Sequence, residues 1–468
     1  MTTTRFAPSP TGDPHIGNIR TALFAYLLAK HSGGKFLLRI EDTDRKRQDD
    51  ASIDTIFDAL KWLGIAPDNI DNPMIQSKRL EIYKKEAFRL VEEGKAYICN
   101  CTPEELKISR EEMIKAGKAP MYSGKCRDLK LEIKDSKLPD NAVIRMKVPK
   151  GEKISFTDAV RGKIEFDSDT IDDQIILKSD GYPTYHLAHV IDDHEMGVTD
   201  IIRSEEWLSS TPKHIILNKM LGFEAPNYAH PPVILSPNKG KLSKRDGAIG
   251  ILEYRKLGYL PEALINFMVF LGWNPKDERE FFTLAELEKE FDLKNINKAG
   301  AVFDIEKLNY YNRHYLQEKP EGEVATLIDQ NVLKKFSAFD REKIVALAKD
   351  RMEKLSDFEK TVSFLLEEKI TPNILVFKKS DKVKTVTGLK ATSEKIEAIE
   401  DFNAQNIKSA LEKAVEQNKL SNGDVFWPVR VALSGLEKSP PPEQIAEVLG
   451  KEETLSRISR AIQIINTQ

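Results

Sequence analysis

The feature that most constrains this chain is a turn rich in Gly and Pro between a short apolar strand and an amphipathic helix. Residues 5–12 read RFAPSPTG, and residues 15–18 read HIGN. Glycine lets the backbone approach a ligand closely, and a helix N-terminus presents N–H groups and a positive dipole end to phosphate. Asn18 is the predicted N-cap, because apolar residues follow it at helical spacing. The pattern predicts a phosphate-binding strand–turn–helix unit.

The rest of the chain suggests how this unit is extended. A second strand is predicted at 36–40 after the helix-ending pair Gly33-Gly34. Strand, Gly-rich turn, helix and strand together open a doubly wound parallel sheet. From about 80 to 185 the character changes, with charged helical stretches and an alternating segment at 143–148. We therefore predict an α/β fold, a Rossmann-type doubly wound parallel sheet split by an α/β insertion. An all-α C-terminal region follows, with helices expected at 352–368, 404–416 and 454–465.

Length and charge set the broad class. A chain of 468 residues is too long for one core and should form several domains. With 71 basic and 74 acidic residues, a uniformly basic surface is excluded, although a local basic face is not. No run of about 18 apolar residues occurs, so no membrane partner is expected. The N-terminal residues contain no apolar signal core, so we expect a cytoplasmic protein.

A second motif, KGKLSKR at residues 239–245, places cations on a loop flanked by Gly. Such cations can close over a triphosphate and neutralise the departing pyrophosphate. Alone, the motif is more typical of a solvated loop or a nucleic-acid-binding patch. Its pairing with the first motif gives it weight and predicts that the two motifs together bind a triphosphate. The predicted catalytic residues are His15, Lys241 and Lys244.

Residues 5–18 resemble the signature of the glutamyl- and glutaminyl-tRNA synthetases, which belong to the class I aminoacyl-tRNA synthetases. Further segments are similar to later blocks of that family: LRIEDTDR at 38–45, YPTYHLA at 182–188, DD at 192–193, MGV at 196–198 and IRSEEW at 202–207. WPVRVALSG at 427–435 resembles the last domain of the bacterial glutamyl enzymes. These matches run in the expected order along nearly the whole chain. The resemblance therefore implies a ligase most similar to the bacterial glutamyl type.

A carboxylate substrate and the family resemblance indicate the same pocket. A carboxylate side chain needs a fixed cation, and a guanidinium pairs with it bidentately. The substrate ammonium needs an anion, and hydroxyl groups would complete the pocket. The expected glutamate-binding residues are Arg5, Ala7, Ser9, Glu41, Tyr185, His189 and Arg203. His189 stands where many relatives have Asn.

The resemblance also implies the ATP site and the reaction. The expected ATP-binding residues are Pro8, Thr11, Gly12, His15, Gly17, Asn18, Glu206, Trp207, Leu235, Lys241, Leu242, Ser243, Lys244 and Arg245. The glutamate α-carboxylate would attack the α-phosphate of Mg-ATP, and a ribose hydroxyl at the tRNA 3′ end would then take the acyl group. Positioning and charge neutralisation should dominate this chemistry. The expected partners of this monomer are L-glutamate and tRNA(Glu), with charging of tRNA(Gln) left open.

Three cysteines lie in the predicted insertion. Cys99, Cys101 and Cys126 are compatible with three thiolates of a tetrahedral zinc site. The fourth ligand is left open between Tyr122 and Asp128. The alternative is three reduced thiols with no metal.

The resemblance assigns a domain to each predicted segment. These are 1–80, the first half of the catalytic domain; 81–185, a connective insertion that meets the tRNA acceptor end; 186–315, the second half with the tRNA stem-contact region and the KLSKR loop; and 316–375 and 376–468, two helical anticodon-binding subdomains. Candidate tRNA phosphate contacts are Arg313, Lys334, Lys335, Arg351, Lys354, Arg430, Arg457 and Arg460.

Three alternatives compete with the glutamyl reading. An enzyme that glutamylates a queuosine base resembles only the catalytic half, so the helical stretch after about 315 argues against it. A glutaminyl enzyme carries β-barrels where this chain is helical. A catalytically inactive regulatory paralogue is disfavoured because both the HIGN and KLSKR motifs are intact.

Overall fold

The computed structural model describes residues 1–44, 51–129, 131–133, 137–240, 242, 249–367 and 370–467. The chain forms two compact units. Unit 1 comprises Met1–Tyr254 and Pro261–Lys307, and unit 2 comprises Arg255–Leu260 and Leu308–Gln468. No described helix is both long and apolar enough to cross a membrane.

A parallel sheet lies at the centre of unit 1. Strands β1 (Thr3–Phe6), β2 (Lys35–Ile40) and β3 (Met74–Ile75) are parallel and lie in that order. A second group has the order β7–β6–β10–β9, built from β6 (Lys153–Asp158), β7 (Gly162–Asp167), β9 (Asp200–Ile202) and β10 (Asn227–Ala229). Strand β10 is parallel to both β9 and β6. Thr199, just before β9, donates its N–H to the Thr3 carbonyl at 2.9 Å. The groups are joined there, and the predicted split parallel sheet is confirmed.

A separate antiparallel sheet carries the cysteine segment. It consists of β4 (Ala96–Cys99), β5 (Val143–Met146) and β8 (Ile175–Leu177) in that order. Tyr83, Leu90, Ile144 and Leu177, each at most 1% exposed, belong to one buried cluster that binds this sheet to its neighbouring helices.

The helices follow the sheet in chain order. Those that lie in unit 1, or begin in it, are α1 (Ile16–His31), α2 (Ala51–Trp62), α3 (Leu80–Glu92), α4 (Pro103–Lys115), α5 (Tyr185–Glu195), α6 (Thr211–Leu221), α7 (Ile251–Lys256), α8 (Pro261–Phe270), α9 (Leu284–Glu290) and α10 (Ile305–Glu318). The unit 2 helices are α11 (Glu321–Leu327), α12 (Gln330–Lys334), α13 (Arg341–Lys349), α14 (Phe358–Val362), α15 (Lys382–Glu397), α16 (Ala404–Gln417), α17 (Asn422–Ser434), α18 (Pro442–Leu449) and α19 (Lys451–Thr467).

The start of α1 differs from the prediction. His15, not Asn18, is the N-cap, and its side chain accepts the Gly17 N–H at 3.1 Å. Asn18 is the third helical residue, and its side-chain oxygen accepts the His15 N–H at 3.4 Å. The two side chains thus form a reciprocal capping box, which starts the helix earlier than the apolar spacing suggests.

Unit 2 is helical, as predicted, but one of its expected helices is broken. Residues 352–368 contain a 3₁₀ turn at Leu355–Asp357, the short helix α14, and another 3₁₀ turn at Ser363–Leu365. The Asp357 carboxylate accepts the N–H groups of Glu353 and Lys354, both at 3.1 Å. A side chain that competes for backbone donors in this way interrupts a continuous helix.

Candidate active site

The carboxyl ends of β1 and β2 bring two arginines to one buried carboxylate. Asp193, on α5, accepts from Arg5 Nε at 3.1 Å and from Arg39 Nη1 at 2.5 Å. Arg39 also donates to Glu41 at 2.9 Å. Burial raises the pKa of Asp193, but the Arg39 and Arg5 guanidinium groups outweigh it and hold that pKa well below its ordinary value. Asp193 is therefore a fixed anion between two cations.

Arg203 lies at the end of β9 and has a different set of partners. Its Nε donates to His230 Nε2 at 3.1 Å, and its Nη2 contacts Thr211 Oγ1 at 2.9 Å and His214 Nδ1 at 3.1 Å. The opposite ring nitrogen of His230 lies 2.6 Å from the Asp158 carboxylate. Burial lowers the pKa of His214 well below its ordinary value, and Arg203 adds to that effect. Arg203 is thus held by side chains that carry no negative charge.

Aromatic rings form one wall of the pocket. Tyr185 stacks on His189 with ring centres 4.9 Å apart, and it contacts Trp207 at 4.5 Å. Burial raises the pKa of Tyr185, which also senses the charges of Arg203, Glu41, Arg5 and Asp193. The Arg203 Nη1 atom donates to the Tyr185 hydroxyl at 3.5 Å.

His189 is fixed from one side. Its Nδ1 lies 3.0 Å from Asp193 Oδ2, and because that carboxylate is ionised, Nδ1 carries the proton. The Nε2 atom is buried and has no hydrogen-bond partner among the described residues. Burial lowers the pKa of His189 to about 3, against the opposing effect of Asp193. His189 therefore has a buried lone pair at Nε2 that no donor among the described residues contacts.

The remaining glutamate-binding predictions lie around the turn after β1 and at the end of β2. Glu41 is 7% exposed, and burial raises its pKa although Arg39 opposes the shift. Its backbone N–H donates to the Pro8 carbonyl at 3.0 Å, which ties the turn to β2. Ala7 is half-buried and Ser9 is exposed in the same turn.

The helix N-terminus of α1 is exposed beside this turn, and Gly250 and Ile251, which follow the second motif in the chain, contact the residues before it. Gly250 pairs with His15 in an antiparallel bridge, and Ile251 donates its N–H to the Pro14 carbonyl at 2.9 Å. A Cβ atom on Gly17 would lie 3.0 Å from the His15 ring, so a larger residue here would press on the capping side chain. The segment after the basic motif therefore lies against the predicted phosphate-binding turn.

The other predicted ATP contacts are distributed as follows. Thr11 and Gly12 are exposed in the turn, Glu206 is exposed, and Trp207 is 38% exposed in the 3₁₀ turn Glu205–Ser210. Leu235 is half-buried and donates its N–H to the Ala301 carbonyl, and Leu242 donates to the Ile234 carbonyl at 3.0 Å. Four further predicted residues, Lys241, Ser243, Lys244 and Arg245, lie outside the described residues.

The three cysteines come together, and the structure distinguishes the two candidate fourth ligands. The Sγ atoms of Cys99, Cys101 and Cys126 lie within 4.8 Å of one another. The Tyr122 hydroxyl is 3.4 Å from Cys99 Sγ and 3.5 Å from Cys101 Sγ. Asp128 is outside this cluster, with 92% of its side chain exposed and its carboxylate 3.6 Å from the Lys147 ammonium. The prediction of Asp128 as an alternative ligand is therefore wrong for this conformation, because that carboxylate faces solvent.

Among the candidate tRNA contacts, Arg457 is also corrected. It is 4% exposed and donates to the carbonyl groups of Phe364, Leu365 and Leu433. A guanidinium engaged by three buried carbonyls closes helix ends and is not available to phosphate. Arg313 pairs with Glu353 at 2.8 Å on the surface of unit 2.

Sequence reasoning missed part of the pocket. Arg39, Asp158, His214 and His230 were given no role, and Asp193 was noted only within a matching block. The pair Asp158 and His230 is 72 residues apart in the chain, so no local spacing links its members. The one available signal was that Arg39 and Asp193 both fall in segments that resemble the family.

Comparison with known proteins agrees with this geometry. The sequence model of the family described as tRNA synthetases class I (E and Q), catalytic domain, matches residues 1–310, and that of the anticodon binding domain matches residues 313–462. The chain is 44% identical to glutamate–tRNA ligase 2 of Thermoanaerobacter pseudethanolicus and 42% identical to a glutamate–tRNA ligase of Dehalococcoides mccartyi. The first comparison covers 98% of both chains, and the second covers 98% of this chain and 97% of the relative.

A solved structure is similar along its whole length. The crystal structure of a glutamate tRNA ligase from Elizabethkingia meningosepticum, in complex with its amino acid, superposes with a TM-score of 0.87 at 37% identity and covers 99% of each chain. The sequence match, the split parallel sheet and the helical unit 2 all indicate the same family. The chain therefore belongs to the class I tRNA synthetase family of the E and Q type.

Proposed function

We propose that this chain is a glutamate–tRNA ligase that activates L-glutamate with ATP and transfers it to the 3′ end of tRNA(Glu). The observation that carries the proposal is the charge arrangement around Tyr185. Two arginines, Arg5 and Arg203, and the carboxylate Glu41 are buried, and their charges act on the pKa of Tyr185. The Arg203 Nη1 atom lies 3.5 Å from the Tyr185 hydroxyl. Cations and an anion at one site match an amino acid whose side chain is a carboxylate. The names of the relatives support the same substrate.

In this proposal each group of residues binds a different part of the substrates. Arg203 and Arg5 bind the substrate carboxylates, and Glu41 binds the ammonium. The turn after β1 and the N-terminus of α1 bind the ATP phosphates, where His15 donates to a phosphate oxygen. Mg²⁺ bound with ATP supplies further neutralisation of phosphate charge. Lys241 and Lys244 belong to the same machinery by resemblance. We propose that the enzyme is a monomer and acts in the cytoplasm.

The decisive assay is ATP–pyrophosphate exchange with glutamate, measured with and without tRNA. We expect exchange that depends on glutamate, and its absence under every condition would overturn the proposal. Aminoacylation of purified tRNA(Glu) and tRNA(Gln) then defines the tRNA range. We expect charging of tRNA(Glu), and charging of both would identify a non-discriminating enzyme. Light scattering after size exclusion tests the monomer.

We also propose that the three cysteines and Tyr122 hold one structural Zn²⁺. Three sulfur atoms and one phenol oxygen converge, which is the donor number of a closed tetrahedral site. The Arg145 guanidinium lies 3.9 Å from the Tyr122 ring centre and offers a countercharge to three thiolates. Metal analysis of protein purified without chelator tests the site. We expect about one equivalent, and less than about 0.2 equivalents would contradict a structural role.

A further inference from the structure

The arginines of the pocket differ in how their charge is balanced. Arg5 and Arg39 both contact the ionised Asp193. Arg203 is equally buried, at 5% exposure, yet it forms no ion pair with a carboxylate among the described residues. A buried cation without a countercharge is costly unless a ligand supplies one. Of these three arginines, Arg203 is the one whose buried charge has no carboxylate partner among the described residues.

The partners of Arg203 are arranged so that they accept hydrogen bonds without carrying charge. A guanidinium has only donors, so each ring nitrogen facing it must present a lone pair. His230 therefore accepts at Nε2 and carries its proton at Nδ1, which donates to Asp158 at 2.6 Å. His214 accepts at Nδ1 and carries its proton at Nε2, which lies 2.9 Å from His186 Nδ1.

Asp158 fixes the orientation of His230 more firmly than a single contact would. Its Oδ1 accepts the backbone N–H groups of Val160 and Arg161 at 2.9 and 2.8 Å. Only Oδ2 is therefore left for the imidazole. Its negative charge reaches Arg203 through the neutral ring and does not contact the guanidinium.

We propose that Asp158–His230 and His214 are positioning residues that hold Arg203 by neutral acceptors and so reserve its charge for a carboxylate of the amino-acid substrate. The proposal rests on the proposed function, since it assigns a reason for the affinity of that same site. A carboxylate in place of either imidazole would orient Arg203 equally well but would neutralise it. The imidazoles provide orientation without neutralisation.

The substitution Asp158→Asn tests this relay without removing any atom of the pocket. The Asn oxygen replaces Oδ1 and keeps the hydrogen bonds from the backbone N–H groups of Val160, Arg161 and His230. The amide NH₂ then lies against His230 Nδ1. His230 must then accept at Nδ1 and carry its proton at Nε2, where it faces the N–H of Arg203 Nε. We expect the KM for glutamate in aminoacylation to rise about tenfold to a hundredfold, the effect of losing one charge-assisted hydrogen bond. The KM for ATP should stay within about twofold.

His230→Gln is the matched variant. Its amide oxygen can accept from Arg203 while its NH₂ donates to Asp158, so we expect the KM for glutamate to stay within about threefold of the wild-type value. A merely structural role predicts that His230→Gln raises the KM for glutamate more than Asp158→Asn does. The reason is that Gln replaces a whole buried ring, whereas Asn has the same shape as Asp. Unchanged KM for glutamate in Asp158→Asn, or equal losses in both variants, would overturn the proposal.

These measurements distinguish failure of the proposed function from failure of the positioning proposal. If the wild-type protein does not charge tRNA with glutamate, the proposed function fails. If the wild-type protein does and Asp158→Asn behaves like it, only the positioning proposal fails. Should Asp158→Asn not fold, the pair His214→Asn and His214→Leu carries the same test. Asn retains an acceptor near Nδ1 and should preserve the KM for glutamate, whereas Leu should raise it, and equal KM values would contradict the proposal.

Discussion

Asp193 is the residue on which most of the buried charge of the pocket depends. Its side chain is 4% exposed and contacts Arg5 Nε at 3.1 Å, Arg39 Nη1 at 2.5 Å and His189 Nδ1 at 3.0 Å. The substitution Asp193→Asn keeps the shape and removes the charge. Arg39 would retain Glu41 at 2.9 Å and Asp192 at 3.8 Å, whereas Arg5 would lose its carboxylate partner.

The expected loss of stability in Asp193→Asn follows from these contacts. Removing one partner of a buried ion pair costs about 3–5 kcal/mol, because a buried charge is left uncompensated. Since Arg39 keeps two carboxylates, we expect the lower end, about 3 kcal/mol. Glu165→Gln is the matched control. Its carboxylate lies only 2.6 Å from Lys153, but the two side chains are 42% and 72% exposed, so solvent and salt screen that pair and it should contribute little to stability.

Hydrogen exchange is the suitable assay, because two compact units need not unfold in one step. The amides of β1 and β2 report the local opening free energy next to Asp193. We expect Asp193→Asn to lower it by about 3 kcal/mol and Glu165→Gln to leave it unchanged. Equal small effects in both variants would refute the reasoning that burial makes the Asp193 contacts strong.

Three further predictions address other parts of the chain. Lys244→Ala should lower the rate of glutamate activation by orders of magnitude with the thermal unfolding midpoint unchanged, and unchanged turnover would refute the assigned catalytic role. Tyr122→Phe should reduce zinc affinity by at least about tenfold, since even indirect contacts to metal ligands contribute that much, whereas Asp128→Asn should bind zinc like wild type in a competitive chelator titration. Burial lowers the pKa of His186 to about 4 and that of His189 to about 3, from an ordinary value of 6.5. The unfolded chain therefore binds protons first as pH falls, so stability should be constant above about pH 6.5 and decline below it. A urea midpoint equal at pH 7.5 and pH 5 would contradict this.

The elements predicted best are those specified by local pattern. The strand at 36–40 and the helices at 404–416 and 454–465 each appear within a few residues of the expected bounds. Period and turn composition depend on neighbours in the chain, so the sequence contains that information directly. The helix expected at 352–368 failed because the Asp357 side chain takes two backbone donors, and periodicity does not register such local competition.

The pocket was predicted in part, for a different physical reason. Arg5, Glu41, Tyr185 and Arg203 were predicted because a carboxylate substrate demands such groups and the family blocks contain them. Their roles in substrate binding stay predictions. The residues that orient Arg203 come from β6, α6 and the segment after β10, and only the fold brings them together. Sequence reasoning meets the same limit at the cysteine cluster, where spacing alone could not choose a fourth ligand. Spacing allowed Tyr122 or Asp128, and the structure separates them because one phenol faces the thiols and one carboxylate faces solvent.

Arg5 and Arg203 were equivalent in sequence reasoning, and the structure makes them different. The Arg5 guanidinium shares the charge of Asp193 with Arg39 before any substrate arrives. Binding of a carboxylate there therefore gains orientation more than it gains charge compensation. Binding of a carboxylate to Arg203 would gain orientation and charge compensation, because the described partners of Arg203 are imidazoles and hydroxyls. The pocket thus combines one arginine whose charge is largely balanced with one whose charge is not, so discrimination between a carboxylate and its neutral amide should depend chiefly on Arg203.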